Sequence, residues 1–139
     1  MFKTTNKVRI HDTDMVGILY FPKIFRFAHE AFEDFFISLG FNIHDFFSDP
    51  KMLFVMVHCE ADYLSPFHLG DVIHVDLILK HIGTTSFTLH FELYKFDGTH
   101  MGSVKTVYVC VEKKQFKKQK IPDKLRNILE KHLVNEKAQ

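Results

Sequence analysis

Residues 22–39 read PKIFRFAHEAFEDFFISL, with proline in the first turn and Gly40 directly after the last apolar residue. Proline fits the start of a helix, where its missing N–H costs nothing, and glycine fits the position just past the end. At about 100° per residue, Lys23, Arg26, Glu30, Glu33 and Asp34 fall on one stripe. Ile24, Phe25, Phe27, Ala28, Ala31, Phe32, Phe35, Phe36 and Leu39 cover roughly half the circumference opposite. A helix lying on a flat sheet needs a narrower apolar stripe. This one is expected to be wrapped by a curved sheet or covered from a second side.

Beyond the helix the hydrophobic period changes from 3.6 to 2. Residues 53–64 alternate Val57, Cys59, Ala61 and Tyr63 against His58, Glu60 and Asp62, and Pro66 and Gly70-Asp71 interrupt the pattern. Strands follow over 72–82, over 86–96 with Phe87, Leu89, Phe91 and Leu93 on one face, and over 102–112 with Val107, Val109 and Val111. Gly83-Thr84 and Asp97-Gly98-Thr99 separate them as hairpin turns. An early strand over 4–10 precedes the helix, and Pro122 followed by DKLRNIL predicts a short final helix. The order is strand, long helix, four strands, short helix. It predicts an α+β fold in which one long central helix is wrapped by a curved antiparallel sheet of about five strands. Such a sheet leaves an edge and a face uncovered, so at least a homodimer is expected.

The chain has 139 residues, 46% hydrophobic and 25% charged, the size of one domain, and we read 1–139 as a single unit without repeats or linkers. No apolar run is long enough to span a membrane and residues 1–7 lack a signal-peptide core, so a cytoplasmic location is expected. Cys59 and Cys110 each sit in an alternating apolar run, which suits two buried free thiols. The ten histidines show no metal-ligand spacing, so no metal is expected. Eighteen basic residues balance 17 acidic ones, which leaves no global field for nucleic acid. The distribution is uneven: from Lys105 onward the net charge is +6, against −5 before it. The basic excess peaks at KKQFKKQK, residues 113–120, as a solvated loop or a phosphate partner. Sixteen phenylalanines and no tryptophan supply bulk without a polar handle, for a core or an apolar pocket alike.

Between the first strand and the helix stands RIHDTDMVGILYFP, residues 9–22. Two carboxylates and a glycine lead into a helix, and a helix start offers unpaired N–H groups and the positive end of its dipole. There a carboxylate attacks an activated carbonyl, or takes a proton from water, while the N–H groups hold the developing charge. The plain alternative is that Asp12 or Asp14 only closes an Asx turn.

Asp12-Thr13-Asp14-x-x-Gly17-Ile18-Leu19-Tyr20-Phe21-Pro22 resembles the D-x-D-x-x-G signature of hot-dog-fold acyl-CoA thioesterases of the 4-hydroxybenzoyl-CoA type. His29-Glu30-Ala31-Phe32-Glu33 and the stretch from Val57 to Asp71 are similar to the branch that hydrolyses 1,4-dihydroxy-2-naphthoyl-CoA. The likeness spans residues 7 to about 112. It implies a hot-dog fold and makes Asp14 the catalytic nucleophile or general base, with backbone N–H groups near Gly17 and Phe21 polarising the thioester carbonyl. Some relatives carry histidine where this chain has Phe21, which can still offer its N–H. The resemblance further implies a site between two subunits of a homodimer or homotetramer, with Gly17, Tyr20, Phe21, His29, His58 and Tyr63 binding substrate. Lys80, Thr84, Thr85 and Ser86 would bind CoA, and residues 113–120 are further partners for its phosphates.

A thioester carbonyl is already activated and its thiolate leaves readily, so neither metal nor cofactor is needed beyond the CoA of the substrate. His29 lies at the border of the apolar arc, as a packed residue or a substrate contact. Glu33 on the polar stripe is the reserve carboxylate. The competing reading is a non-catalytic acyl-CoA or acyl-carrier binding module that uses the same pocket.

Overall fold

The structure is a computed structural model and describes residues 1–14, 17–41, 44 and 51–134. β1 (Phe2–Lys7) leads through two short 3-10 turns, Ile10–Asp12 and Phe21–Lys23, into helix α1 (Ile24–Ser38). β2 (Met52–Tyr63), β3 (Val72–Ile82), β4 (Ser86–Lys95), β5 (His100–Glu112) and helix α2 (Asp123–Glu130) follow. The five strands form one antiparallel sheet in the order β1-β3-β4-β5-β2, so β1 and β2 are its edges. Three of the four pairings carry a register shift, an irregularity that bends a strand and increases its twist. The predicted element order and types are those observed. The first strand ends earlier than predicted, because the chain leaves the sheet at Val8, whose N–H donates to the Asp71 carbonyl at 2.9 Å.

Helix α1 starts through the Phe21-Pro22-Lys23 turn and ends where the Gly40 N–H donates to Ile37 and the Phe41 N–H to Phe36, while the Phe41 ring folds onto Phe36. Seven of the nine residues on the predicted apolar arc are buried; Phe25 and Leu39 are half-buried against the same core. They meet alternate residues of the sheet: Ile73, Val75, Leu77 and Leu79 from β3, and Phe87, Leu89, Phe91 and Leu93 from β4. From β5 the buried row is Thr106, Tyr108 and Cys110, with the Tyr108 ring stacked on Phe32 at 4.6 Å and on Phe87 at 5.4 Å. Val107, Val109 and Val111 form the opposite row, in which Val109 and Val111 are also buried. Gly102 lets helix and sheet close up, since a Cβ there would stand 2.8 Å from the Asp62 carbonyl oxygen and 3.1 Å from Ile24 Cδ1.

One expectation, that both thiols are buried, is corrected at Cys59. The charged stripe of α1 meets the edge of the sheet: Arg26, Glu30 and Asp34 line up beside β1. There Asn6 Nδ2 donates to Glu30 at 2.7 Å and Thr4 Oγ1 to Asp34 at 3.0 Å. Cys110 is buried, with Sγ 3.5 Å from Met52 Sδ, but Cys59 is exposed and both thiols are free. β2 is an edge strand, and its register shifts between Met56 and His58, so Val57 stands out of the ladder and is 58% exposed.

Candidate active site

The segment between β1 and α1 divides into a locked half and a presented half. In the locked half Asp12 is fully buried. Its Oδ2 accepts the Arg9 N–H at 2.8 Å, its Oδ1 accepts Arg26 Nε at 2.7 Å, and Arg26 Nη2 completes a bidentate pair. Burial alone would raise the Asp12 pKa, but the Arg26 hydrogen bond, the Arg9 N–H and the charges of Arg26 and His11 outweigh it and hold the carboxyl below its ordinary value. Arg26 also donates to the Lys7 carbonyl at 3.0 Å and to Glu30, and its guanidinium carbon lies 4.5 Å from the centre of the Phe27 ring. Asp12 thus ties the end of β1 to the first turn of α1.

In the presented half, Thr13 bridges Leu19 and Ile18 bridges His68. The Asp14 N–H donates to the Ile18 carbonyl at 2.9 Å and the Gly17 N–H to the Asp14 carbonyl at 3.2 Å, with Gly17 at φ +77°, a conformation L side chains rarely adopt. This tight hairpin holds the Asp14 main chain at both polar groups and puts its side chain on the exposed surface. Leu19 N–H to Phe67 and Leu69 N–H to Gly17 then stitch the hairpin to the segment after β2.

The stitching creates a cleft of about 310 Å³ walled by Ile18, Leu19, Phe21, Tyr63, Leu64, Pro66 and Phe67. Phe21 is 66% exposed and Tyr63 43%, apolar surface left open at its rim. Burial pushes the Tyr63 hydroxyl up to about 12, so at neutral pH it stays protonated and can donate. Phe21 opens the turn that starts the helix, and among the described residues no backbone carbonyl takes its N–H. The Gly17 N–H, by contrast, is spent inside the hairpin.

Of the predicted site residues, the fold brings Phe21 and Tyr63 together beside Gly17 and Asp14. Tyr20 is exposed at the same place, its ring 5.3 Å from that of Phe21, and its N–H donates to the Asp12 carbonyl. His29 stands about 12 Å further along α1, edge-on to Phe32, in a separate cleft of about 170 Å³ shared with Glu30 and Glu33. His58 lies on the other face of the sheet, 2.9 Å from Glu60. Lys80 lies on that face as well, where burial first, and then the charges of Lys80 and Lys105, press the His90 pKa down.

Thr84, Thr85 and Ser86 form the turn at the far end of β3, roughly 30 Å from the Asp14 hairpin by strand geometry. Their carbonyls accept Ile121, Cys110 and Gly83 N–H groups, and Arg126 of α2 donates to Thr84 at 3.0 Å. Sequence reasoning missed the Asp12–Arg26 lock, although a charge four residues after Pro22 on a helix facing an acidic loop was its signal. It also missed Leu64 and Pro66 as cleft walls. Among the described residues no group of three or more His, Cys, Asp and Glu is placed to share a metal ion, and no helix is long and apolar enough to cross a membrane.

Comparison with known proteins bears on this arrangement. The profile of the Thioesterase-like superfamily matches residues 8–129. The chain is 32% identical to the 1,4-dihydroxy-2-naphthoyl-CoA hydrolase of Nostoc punctiforme, over 93% of this chain and 86% of that protein. It is 30% identical to the hydrolase of the same name from Thermosynechococcus vestitus, over 85% of this chain and 81% of that protein. Among solved structures, the 1,4-dihydroxy-2-naphthoyl-CoA thioesterase of Synechocystis matches with a TM-score of 0.86, covering 92% of this chain and 94% of that one. At 24% identity that likeness speaks for the fold.

Proposed function

The chain belongs to the Thioesterase-like superfamily, and from that membership and the cleft beside Asp14 we propose that it hydrolyses acyl-CoA thioesters whose acyl group is aromatic or otherwise compact. The observation that carries the reading is one juxtaposition: an exposed aspartate whose N–H is hydrogen-bonded to Ile18, a residue in the wall of an apolar cleft. Relatives named as hydrolases of an aromatic acyl-CoA support the substrate class.

In this mechanism the acyl group lies against Phe21, Tyr63 and Phe67, and its carbonyl oxygen accepts the Phe21 N–H, where the start of the helix favours negative charge. Asp14 acts in one of two ways. As a general base it takes a proton from water as the water oxygen bonds to the carbonyl carbon. The C–S bond then breaks and the departing thiolate takes up a proton. As a nucleophile it displaces the thiolate itself, forming an acyl anhydride that water then cleaves. Neither route calls for a metal or cofactor.

In this reading two copies pair through β2, whose outer edge is unpaired among the described residues and carries the exposed Val57 and Tyr63, with exposed Leu64 directly after it. A panel of acyl-CoA thioesters with a thiol-detecting reagent tests the reading. Thiol release fastest on aromatic acyl groups, and at least about 100-fold slower in Asp14→Asn, is the expected result. Tight acyl-CoA binding without thiol release would instead make the protein a binding module.

A further inference from the structure

On the α1 side of the sheet, β2 and β5 bring one thiol and two hydroxyls together. Cys59 is the register partner of Thr106 across the two strands, which sets their Cβ atoms about 5 Å apart on one face. Tyr108 stands two residues along β5 in the same buried row, so it shares that face. Thr106 is 1% exposed and Tyr108 5%, and among the described residues neither hydroxyl has a hydrogen-bond partner. Burial pushes the Tyr108 hydroxyl up to about 12; Thr106, close by but outside hydrogen-bond geometry, draws it back, and the charge of Cys59 adds to the rise. All three groups therefore lie within one another's influence.

A buried hydroxyl without a partner is costly, and the large majority in folded proteins have one. Packing calls for neither of these two. Valine has nearly the shape of threonine, and phenylalanine would keep the stacking of the Tyr108 ring on Phe32 and Phe87. What both hydroxyls adjoin is a thiol. Cys59 is exposed on an edge strand, whereas Cys110 is buried with its Sγ 3.5 Å from Met52 Sδ. Side chains stand perpendicular to the hydrogen-bonding direction of a sheet, so a strand added at the β2 edge takes up backbone groups and leaves the thiol on the α1 side.

We propose that Cys59 is a modification site, oxidised to a sulfenic acid by hydroperoxides, and that Thr106 and Tyr108 hold the oxygen it gains. The Cys59 thiolate attacks the terminal oxygen of the hydroperoxide. The S–O bond forms as the O–O bond breaks, sulfur gives two electrons to the peroxide, and the departing alkoxide or hydroxide takes up a proton to leave as an alcohol or water. The new oxygen accepts hydrogen bonds from the two hydroxyls, which then have the partner they lack. Held in this way it is less open to further oxidation and to attack by a second thiol, so the sulfenic acid persists until a small thiol reductant removes it. Cys59 stands four residues, about 13 Å of strand, from Tyr63 in the cleft wall, and the inference does not rest on the thioesterase reading.

The test treats the full chain with hydrogen peroxide at neutral pH, removes the peroxide with catalase, adds dimedone after a fixed delay and reads the label on each cysteine by peptide mass spectrometry. Cys59 should carry the label, and Cys110 less than about a tenth as much. In the double variant Thr106→Val, Tyr108→Phe the label kept at Cys59 through the delay should fall at least about fivefold, the effect of losing one to two hydrogen bonds. Alkylation of unoxidised Cys59 by iodoacetamide should stay within about twofold of wild type, because access to the thiol is unchanged. Each single variant should show a smaller loss of label, which keeps the test open if the double variant does not fold. Thr106→Ser keeps the hydroxyl and should hold the label as wild type does, as should Asp14→Asn.

No label on Cys59, equal retention in wild type and the hydroxyl variants, or labelling of Cys110 to the same extent would overturn the proposal. So would iodoacetamide reactivity that falls in step with the label, which would mean that the hydroxyls only pack, or Cys59 recovered in disulfide-linked chains in place of the labelled thiol.

Discussion

Asp12 and Asp14 are the same residue type two positions apart, and the fold puts them to opposite uses. Asp12 is fully buried, bidentate with Arg26 and capped by the Arg9 N–H. Asp14 is exposed on a hairpin whose main chain is held, its N–H bonded to Ile18 in the wall of an apolar cleft. A carboxylate saturated with donors is a structural clamp and a poor base. One at the exposed surface, on a main chain that is itself hydrogen-bonded, is within reach of solvent. The first aspartate fixes where the hairpin stands relative to α1, and the proposed mechanism assigns the chemistry to the second.

The sharpest way to break the contrast is Arg26→Met. It strands a buried carboxylate and should cost about 3 kcal/mol of stability at pH 7, read by denaturant unfolding. The sign with pH follows from Asp12. In wild type its pKa is lowered, so the stabilisation is complete above the ordinary value of 3.8 and is lost as pH falls from there through the lower folded value. In Arg26→Met burial acts without the guanidinium, Asp12 takes up a proton more readily, and the deficit relative to wild type should shrink as pH is lowered toward 4. A deficit that grows on acidification would mean that Arg26 acts through other contacts.

Asp14→Asn comes next. With turnover reduced about 100-fold, or about 2.7 kcal/mol of transition-state stabilisation, its unfolding midpoint should match wild type. Asp12→Asn should show the reverse pattern, lower stability with kcat altered only as far as the hairpin shifts. If the two variants behave alike, the division of labour is wrong. The smallest expected effect is that of Tyr63→Phe, which keeps the wall of the cleft and removes its protonated hydroxyl. A rise in KM of about threefold with unchanged stability is expected, the worth of one neutral hydrogen bond.

The element plan was legible because it rests on local periodicity. The half-circumference apolar arc of α1 gives seven buried residues, and the alternation over β3 and β4 gives the two buried rows that meet it. Asp14, Gly17 and Phe21 were legible as candidates through the D-x-D-x-x-G resemblance and Tyr63 through the 57–71 stretch; the fold places Phe21 and Tyr63 in one cleft, with Ile18, the partner of the Asp14 N–H, in its wall. The destination of the charged stripe was not legible, because nothing local tells Arg26, Glu30 and Asp34 that β1 lies beside them. Neither was the exposure of Cys59, which depends on β2 being an edge strand. His29, His58 and the 84–86 turn read as site residues along the chain, yet they occupy a separate cleft, the opposite face and the far end of the sheet.

From its residues alone this chain determines where helix and strands form, which side of each is apolar, and that an acidic hairpin precedes the long helix, because backbone sterics and side-chain period act over a few neighbours. The strand order β1-β3-β4-β5-β2, the burial of Asp12 against Arg26, and the pairing of Cys59 with Thr106 were decided only in three dimensions. Each depends on groups far apart in the chain competing for the same partners, and that competition is settled by the packing of the whole.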